Sequence, residues 1–152
     1  MATRSTIGYF ENGTLTAVYC HWDGYLSNNG ALLFQNYNSM EKVKELVSLG
    51  NISSLGPVIG EKHPFDSYGM SVEEKQKFAD FTTFYGRDRG ETGQESKQFS
   101  DFESYFEHYN ASGCEYFYVF SQGEWFYASD DDVMFGESKW NSLSTANLKK
   151  AA

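Results

Sequence analysis

The sequence is short of several residue types, and each shortage excludes a class of protein. Only two cysteines, Cys20 and Cys114, occur in 152 residues, and they lie far apart without a CxxC spacing. Neither a disulfide framework nor a zinc ribbon is therefore indicated. No apolar run approaches the ~20 residues that span a bilayer, and no basic-then-apolar segment opens the chain. We expect a soluble, intracellular protein with reduced thiols and no membrane association.

Positive charge is also scarce. Twelve Lys and Arg residues face 21 Asp and Glu residues, which gives a formal net charge of −9. Binding to a nucleic-acid backbone needs a basic face, so the balance argues against it. Aromatic residues make up 18% of the chain and charged residues only 22%, a composition typical of a folded protein rather than a disordered one. The sequence predicts one acidic, aromatic-rich domain.

The apolar pattern predicts an α+β fold. Asn12-Gly13 separates two β-type runs and is typical of a type I′ hairpin turn. A second pair of runs, rich in Tyr, Phe and Trp, flanks Gln122-Gly123. We expect an antiparallel sheet built from these N- and C-terminal hairpins and packed by two or three helices. The expected elements are a hairpin over 6–20, helices beginning near 31, over 39–50 and over 100–110, a strand over 81–85, and a hairpin over 114–128.

These elements predict a single domain over residues 1–142. Residues 57–80 form its least regular part, with Pro57, Gly60, Pro64 and Gly69, and are expected to be an irregular segment or insertion that holds at most one short helix. Residues 91–98 are expected to be a surface loop. Residues 143–152 are expected to form a frayed tail.

The first chemistry-bearing segment is His21-Trp22-Asp23-Gly24-Tyr25, at the end of a predicted strand. Alternation along the strand puts His21, Asp23 and Tyr25 on one face and Trp22 on the other. A histidine beside a carboxylate suits a general base or a ligand-binding pair. The structural alternative is that Asp23 accepts hydrogen bonds from a backbone turn and His21 is a satisfied polar residue at a sheet edge.

The second segment is Tyr85-Gly86-Arg87-Asp88-Arg89-Gly90-Glu91. It holds two of the three arginines in the chain, the other being Arg4, and its glycines let a backbone approach a ligand closely. The planar guanidinium fork suits a carboxylate or phosphate. In the structural alternative, Arg87 and Arg89 pair with Asp23, Asp88 or Glu91 and brace two loops. The predicted ligand-binding residues are His21, Trp22, Asp23, Tyr25, Arg87, Asp88, Arg89 and Glu91.

Other chemistries lack their motifs. No GxGxxG, P-loop, HExxH, GxSxG or EF-hand pattern occurs. The three histidines are scattered, and Asp130-Asp131-Asp132 is more typical of a solvated turn than of a cation site. No catalytic residue, metal or cofactor is therefore assigned. A small hydrolase that uses His21 and Asp23 as an acid–base pair is kept as a third-ranked alternative.

Several of these segments resemble a family of small proteins encoded by tailed bacteriophages and some bacteria. The resemblance rests on Ala2 to Ile7, on Val18-Tyr19-Cys20-His21-Trp22-Asp23-Gly24-Tyr25, on Val43 to Leu55, and on Phe84 to Glu91. It covers the first 90 residues well and the final hairpin more loosely. It implies a phage protein in the cytoplasm of an infected bacterium and supplies no catalytic residues.

Two functions follow as expectations. The first is binding, without turnover, of a small anionic ligand, plausibly a nucleotide or a nucleotide signal of host defence, between the two segments. The second is inhibition of a host nucleic-acid or defence enzyme through an acidic surface. That surface would include Asp101, Glu103, Glu107, Asp130, Asp131 and Asp132. Exposed aromatic residues also make a homo-oligomer plausible.

Overall fold

A computed structural model describes residues 2–65, 68–130 and 140–143. The strands in this part of the chain are β1 (Arg4–Glu11), β2 (Thr14–Cys20), β3 (Ile52–Ser54), β4 (Thr83–Phe84), β5 (Lys97–Phe99), β6 (Cys114–Ser121), β7 (Glu124–Ser129) and β8 (Asn141–Ser142). The helices are a π-helical turn (Leu26–Gly30), α1 (Ala31–Asn36), α2 (Met40–Ser48), α3 (Val72–Phe78), α4 (Tyr85–Arg89) and α5 (Phe102–Ala111).

The two predicted hairpins are present, and both close with the expected turn. Asn12 and Gly13 have φ values of 52° and 76°, and Gln122 and Gly123 have φ values of 52° and 80°. Two successive positive φ values define a type I′ turn, whose twist matches that of the flanking strands. β1 therefore pairs antiparallel with β2, and β6 pairs antiparallel with β7.

The sheet that joins the hairpins is mixed rather than wholly antiparallel. Its order is β4-β3-β2-β1-β6-β7-β8, with β5 paired to the start of β2. β1 runs parallel to β6, and the short β3 runs parallel to β2. The turn signals specify pairing only within a hairpin. The relative direction of β1 and β6 depends on the crossover of about a hundred residues between them, which has no local sequence signature.

Helices cover both faces of the sheet. One face packs on α1 and α2 and buries Ile7, Val18, Leu33, Val43, Leu46, Tyr118 and Trp125. The other packs on α5 and buries Leu15, Ala17, Tyr105, Phe106, Tyr109 and Phe117. Side chains cap the N-termini of both longer helices: the Ser39 hydroxyl accepts the Lys42 N–H, and the Asp101 carboxylate accepts the Ser104 N–H at 2.7 Å. The α+β domain is thus built as a helix-covered sheet.

The structure corrects three local expectations. Residues 52–54 form a strand rather than a loop, because His21 and Trp22 donate backbone hydrogen bonds to Ile52 and Ser53. Residues 97–99 also form a strand, paired with Leu15–Ala17. The glycine-flanked segment after Phe84 is helical. In each case pairing or packing against distant residues overrides a polar, glycine-containing local sequence.

Two other expectations can be compared with the structure only where their residues are described. The irregular segment over 57–80 contains one short helix, α3, as allowed. The tail over 143–152 lies outside the described residues except for Leu143, which is buried. In the part of the chain that the structure describes, no helix combines the length and apolar character needed to cross a bilayer.

Replacing Trp125 by Phe should destabilise the domain. The indole Nε1 donates to the Tyr37 carbonyl at 2.7 Å between buried residues, so the substitution leaves a buried carbonyl unpaired and costs about 1–3 kcal/mol. Urea unfolding monitored by circular dichroism measures the loss. Trp22→Phe is the matched control, because Trp22 is 45% exposed, and its effect should stay within about 0.5 kcal/mol. Equal effects of the two substitutions would contradict the assigned role of Trp125.

Candidate functional site

The His21–Tyr25 segment is a rigid loop. Backbone hydrogen bonds from His21 and Trp22 to β3 continue the line of β2, and the Gly24 N–H donates to the Thr3 carbonyl at 2.8 Å. The Tyr118 hydroxyl donates to the Gly24 carbonyl at 2.6 Å. A Cβ at Gly24 would lie 2.7 Å from the Ser5 Cβ, a separation that packed atoms do not tolerate. Glycine is therefore required where the loop crosses β1.

The same loop directs three side chains to solvent. Asp23 has a φ of 54°, a left-handed conformation that Asp adopts more readily than most residues. The Asn28 side chain and the Asn29 N–H fix this turn by donating to the Asp23 carbonyl. Trp22 and Tyr25 are 45% and 39% exposed. The Asp23 carboxylate is also exposed and makes no hydrogen bond or ion pair with the described residues.

His21 does not pair with Asp23. Its Nδ1 lies 2.8 Å from the Tyr19 hydroxyl, and its ring meets that of Trp22 edge-on. Burial, together with the charge of Arg4, lowers the pKa of His21. The strand alternation from which a shared face of His21 and Asp23 was predicted ends before the left-handed turn at Asp23. An acid–base pair of these two residues is not formed.

Arg87 and Asp88 form a structural network. The buried Asp88 carboxylate accepts the His63 and Phe84 N–H groups at 3.1 and 2.8 Å, and it accepts Arg87 Nε at 3.0 Å. Arg87 also donates to the carbonyls of Gly60 and Thr82. The network ties residues 60–63 to the edge strand β4. The structural alternative is thus the arrangement observed, and the Arg87 donors already have protein acceptors.

Arg89 is likewise engaged. It forms an ion pair with Glu91, and its guanidinium lies 4.3 Å from the ring centroid of Phe65 and 5.2 Å from that of Tyr85. Each arginine of the segment is therefore paired with a carboxylate of the same segment, Arg87 with Asp88 and Arg89 with Glu91. A ligand would have to compete with an ion pair at Arg89 and with a buried network at Arg87.

The two predicted segments make no direct contact with each other among the described residues. Arg87 contacts Thr82 and Gly60 on the outer side of β4, whereas Trp22 follows β2, and β3 lies between the two strands. Among the described residues, no hydrogen bond, ion pair or ring contact links His21–Tyr25 to Tyr85–Glu91. A shared pocket between the two loops therefore stays a prediction.

A different pocket adjoins Tyr19, on the face of the sheet that α5 covers. It is an open cavity of about 230 Å³, lined by Tyr19, Asn51, Lys97, His108, Tyr109 and Ser112. Lys97 is placed there because it pairs with Ala17, two residues before Tyr19 on β2. Asn51 holds the wall in place, since its Oδ1 accepts the Tyr19 N–H and its Nδ2 donates to Gln94.

Arg4 stands beside this pocket. The β1–β2 register pairs Ser5 with Cys20, so its continuation by one residue places Arg4 across from His21, on the same face as Tyr19. Gly113 leaves room for the guanidinium, because Arg4 Nη1 lies 3.0 Å from the position of a Cβ there. The charge of Arg4 lowers the pKa of His21 and opposes the rise that burial causes in the pKa of Tyr19.

The cations around the pocket lack partners of opposite charge. None of the ion pairs among the described residues includes Arg4 or Lys97. His108, in the last turn of α5, is a third group that can carry positive charge. The carboxyl end of α5 would oppose an anion, but its carbonyls are occupied: Ser112 and Gly113 donate to those of His108, Tyr109 and Asn110. The arrangement suits a small oxyanion.

Neither cysteine is placed to act as a nucleophile. Cys20 and Cys114 are both buried and reduced. Burial raises the pKa of Cys20 to about 11 and that of Cys114 to about 12, so both remain protonated at neutral pH. Within the described residues, no cluster of three or more His, Cys, Asp or Glu side chains has the arrangement of a metal site.

Sequence reasoning found His21 but missed Arg4, Lys97 and His108. One signal was available for Arg4: the Asn12-Gly13 turn fixes the hairpin register, and that register alone sets Arg4 opposite His21. No comparable signal exists for Lys97 and His108. They reach the pocket through the unpredicted strand β5 and through the docking of α5, both of which depend on contacts between distant residues.

No known family model, curated protein or solved structure matches this chain. The resemblance to bacteriophage proteins therefore remains an expectation from the sequence.

Removing the charge of Asp88 should be far more damaging than removing that of Asp23. Asp88→Asn leaves the Arg87 charge in a largely buried site without its counterion, and about 3 kcal/mol of stability should be lost. Asp23→Asn is the matched control and should change stability by less than about 0.5 kcal/mol. Urea unfolding curves of the two variants provide the comparison. A mild effect at Asp88 would show that the network does not hold β4 in place.

Proposed function

We propose that this protein binds a small ligand carrying an oxyanion group, such as a nucleotide, in the pocket beside Tyr19. One observation carries the proposal: in a chain of net charge −9, Arg4 and Lys97 have no carboxylate partner among the described residues, Lys97 lines the cavity, and the charge of Arg4 acts on Tyr19 in the cavity wall. Uncompensated cations at a concave surface raise the local concentration of anions and can hold one by charge-assisted hydrogen bonds.

The size of the cavity limits what part of a ligand it encloses. Its volume of about 230 Å³ lies below the range of roughly 300–1,000 Å³ typical of pockets for drug-sized molecules. The pocket would enclose a phosphate-sized group, and the rest of the ligand would lie along its open side. The exposed ring of His108 offers a surface there for stacking.

Binding without turnover is the simpler assignment for this site. His21 Nδ1 is engaged by Tyr19, and the exposed Asp23 makes no hydrogen bond or ion pair with His21. Both thiols are buried. The described residues therefore offer cationic and hydrogen-bonding groups for recognition, but they do not arrange a nucleophile beside a base.

Adenosine 5′-monophosphate, with adenosine as its uncharged counterpart, tests the proposal by calorimetry. The monophosphate should bind more tightly than adenosine. Arg4→Ala should weaken monophosphate binding by at least about tenfold, because a charge-assisted hydrogen bond contributes about 1.5–3 kcal/mol. Arg89→Ala, the matched control, should change affinity less than about twofold, since Arg89 is already paired with Glu91. Loss of binding in Arg89→Ala alone would instead assign the ligand to the 85–91 segment.

A protein partner is the second candidate, favoured by the fixed loop that exposes Trp22, Asp23 and Tyr25. Trp and Tyr dominate binding energy at many interfaces, and a pre-organised loop loses little entropy on association. The exposed Asp23 carboxylate between two aromatic residues suits a basic partner surface. Asp101, by contrast, is used inside the domain as the cap of α5, and Asp131 and Asp132 lie outside the described residues.

Affinity capture from bacterial lysate separates this candidate from the first. A partner held through the loop should be recovered by the unmodified protein at low salt, and it should be lost from both Trp22→Ala and Asp23→Lys. Arg4→Ala, which changes the ligand pocket but none of the three exposed side chains of the loop, should retain it. The same recovery by all four proteins would argue against the loop as the contact surface.

A further inference from the structure

The hydrogen bond between His21 and Tyr19 links the pocket to a titratable group. His21 Nδ1 and the Tyr19 hydroxyl lie 2.8 Å apart, and Tyr19 lines the cavity. When His21 is neutral with its proton on Nε2, Nδ1 can only accept, so the Tyr19 O–H donates to it. The Tyr19 oxygen then has only lone pairs left, which can accept a hydrogen bond from Arg4 but offer no donor to an anion.

Protonation of His21 reverses the direction of this hydrogen bond. Nδ1 then carries a proton and donates to the Tyr19 oxygen, so the Tyr19 O–H must turn away from the ring. It becomes available to donate to a group inside the pocket. Protonation therefore adds a positive charge beside the site and a hydrogen-bond donor within it.

The groups around His21 keep it neutral in the free protein. Arg4 faces it from β1, Tyr19 lies on its own strand, and β3 contributes only the Ile52 carbonyl, which accepts the His21 backbone N–H. Asp23, two residues on, makes no contact with the ring among the described residues. Burial and the Arg4 charge lower the pKa of His21. An anion held by Arg4 would offset that charge and so favour the imidazolium form.

We propose that the pocket takes up its anion together with one proton, which binds to His21 Nδ1 while the Tyr19 O–H turns from His21 to the bound anion. The proton comes from solvent, and no covalent bond to the ligand forms or breaks. This inference rests on the proposed anion-binding function and adds its regulation by pH. By linkage, anion affinity increases as pH falls, and anion binding raises the affinity of His21 for a proton by the same factor.

Sulfate is the appropriate probe, because its charge stays constant over the pH range in which histidine titrates, unlike that of phosphate. Calorimetry should give a sulfate affinity at least about fivefold higher near pH 5.5 than near pH 7.5. For one coupled histidine, each unit by which anion binding raises the pKa of His21 can change the affinity by up to tenfold between the two pH values. His21→Gln and Tyr19→Phe should each reduce this ratio to less than about twofold. Arg89→Ala, which removes a charge already paired with Glu91 outside the pocket, should keep the ratio and is the matched control.

Nitrogen-15 NMR of the histidine rings provides a direct readout in the unmodified protein, so the result does not depend on a variant folding. Near neutral pH the free protein should show His21 neutral with its proton on Nε2, and saturating sulfate should convert it to the doubly protonated ring. If sulfate binds and Arg4→Ala weakens it, but affinity is independent of pH and His21 stays neutral, the coupling is overturned and the binding function stands. If sulfate binds at no pH, both are overturned.

Discussion

The pairing of β1 with a strand on each side is the interaction on which the rest of the structure depends. β1 holds the N-terminal hairpin through β2 and the C-terminal hairpin through β6. It also carries Arg4 at its first position, next to His21 on one neighbour and Cys114 on the other. The site beside Tyr19 is therefore a product of sheet register: without β1 between the hairpins, its cations would not converge.

Local signals in the sequence predicted local structure well. Asn12-Gly13 and Gln122-Gly123 specified both hairpins, and Ser39 and the 100–101 region marked the starts of the two longer helices. The strands β3 and β5 were missed because they are three residues long and polar or mixed in character. They exist because β2 offers free backbone groups along one side. The parallel direction of β6 against β1 was missed for the same reason, since no short segment encodes it.

The scarcity of arginine drew the site prediction to Arg87 and Arg89. Arg87 and Arg89 attracted attention because they stand between glycines, yet carboxylates at positions 88 and 91 satisfy both. In an acidic protein most cations meet an acidic neighbour close in sequence. The informative arginine is the one without such a neighbour. Arg4 has no Asp or Glu within six residues in either direction along the chain. The sequence-based site prediction did not include it.

The contact between the Tyr118 hydroxyl and the Gly24 carbonyl joins groups that are 94 residues apart in the chain. During synthesis the N-terminal hairpin can form early, but the His21–Tyr25 loop lacks this anchor until β6 has left the ribosome. Arg4 similarly lacks the neighbouring turn at Gly113 until then. Both surfaces with potential function are thus completed only after β6 has emerged, and a shorter nascent chain displays neither in finished form.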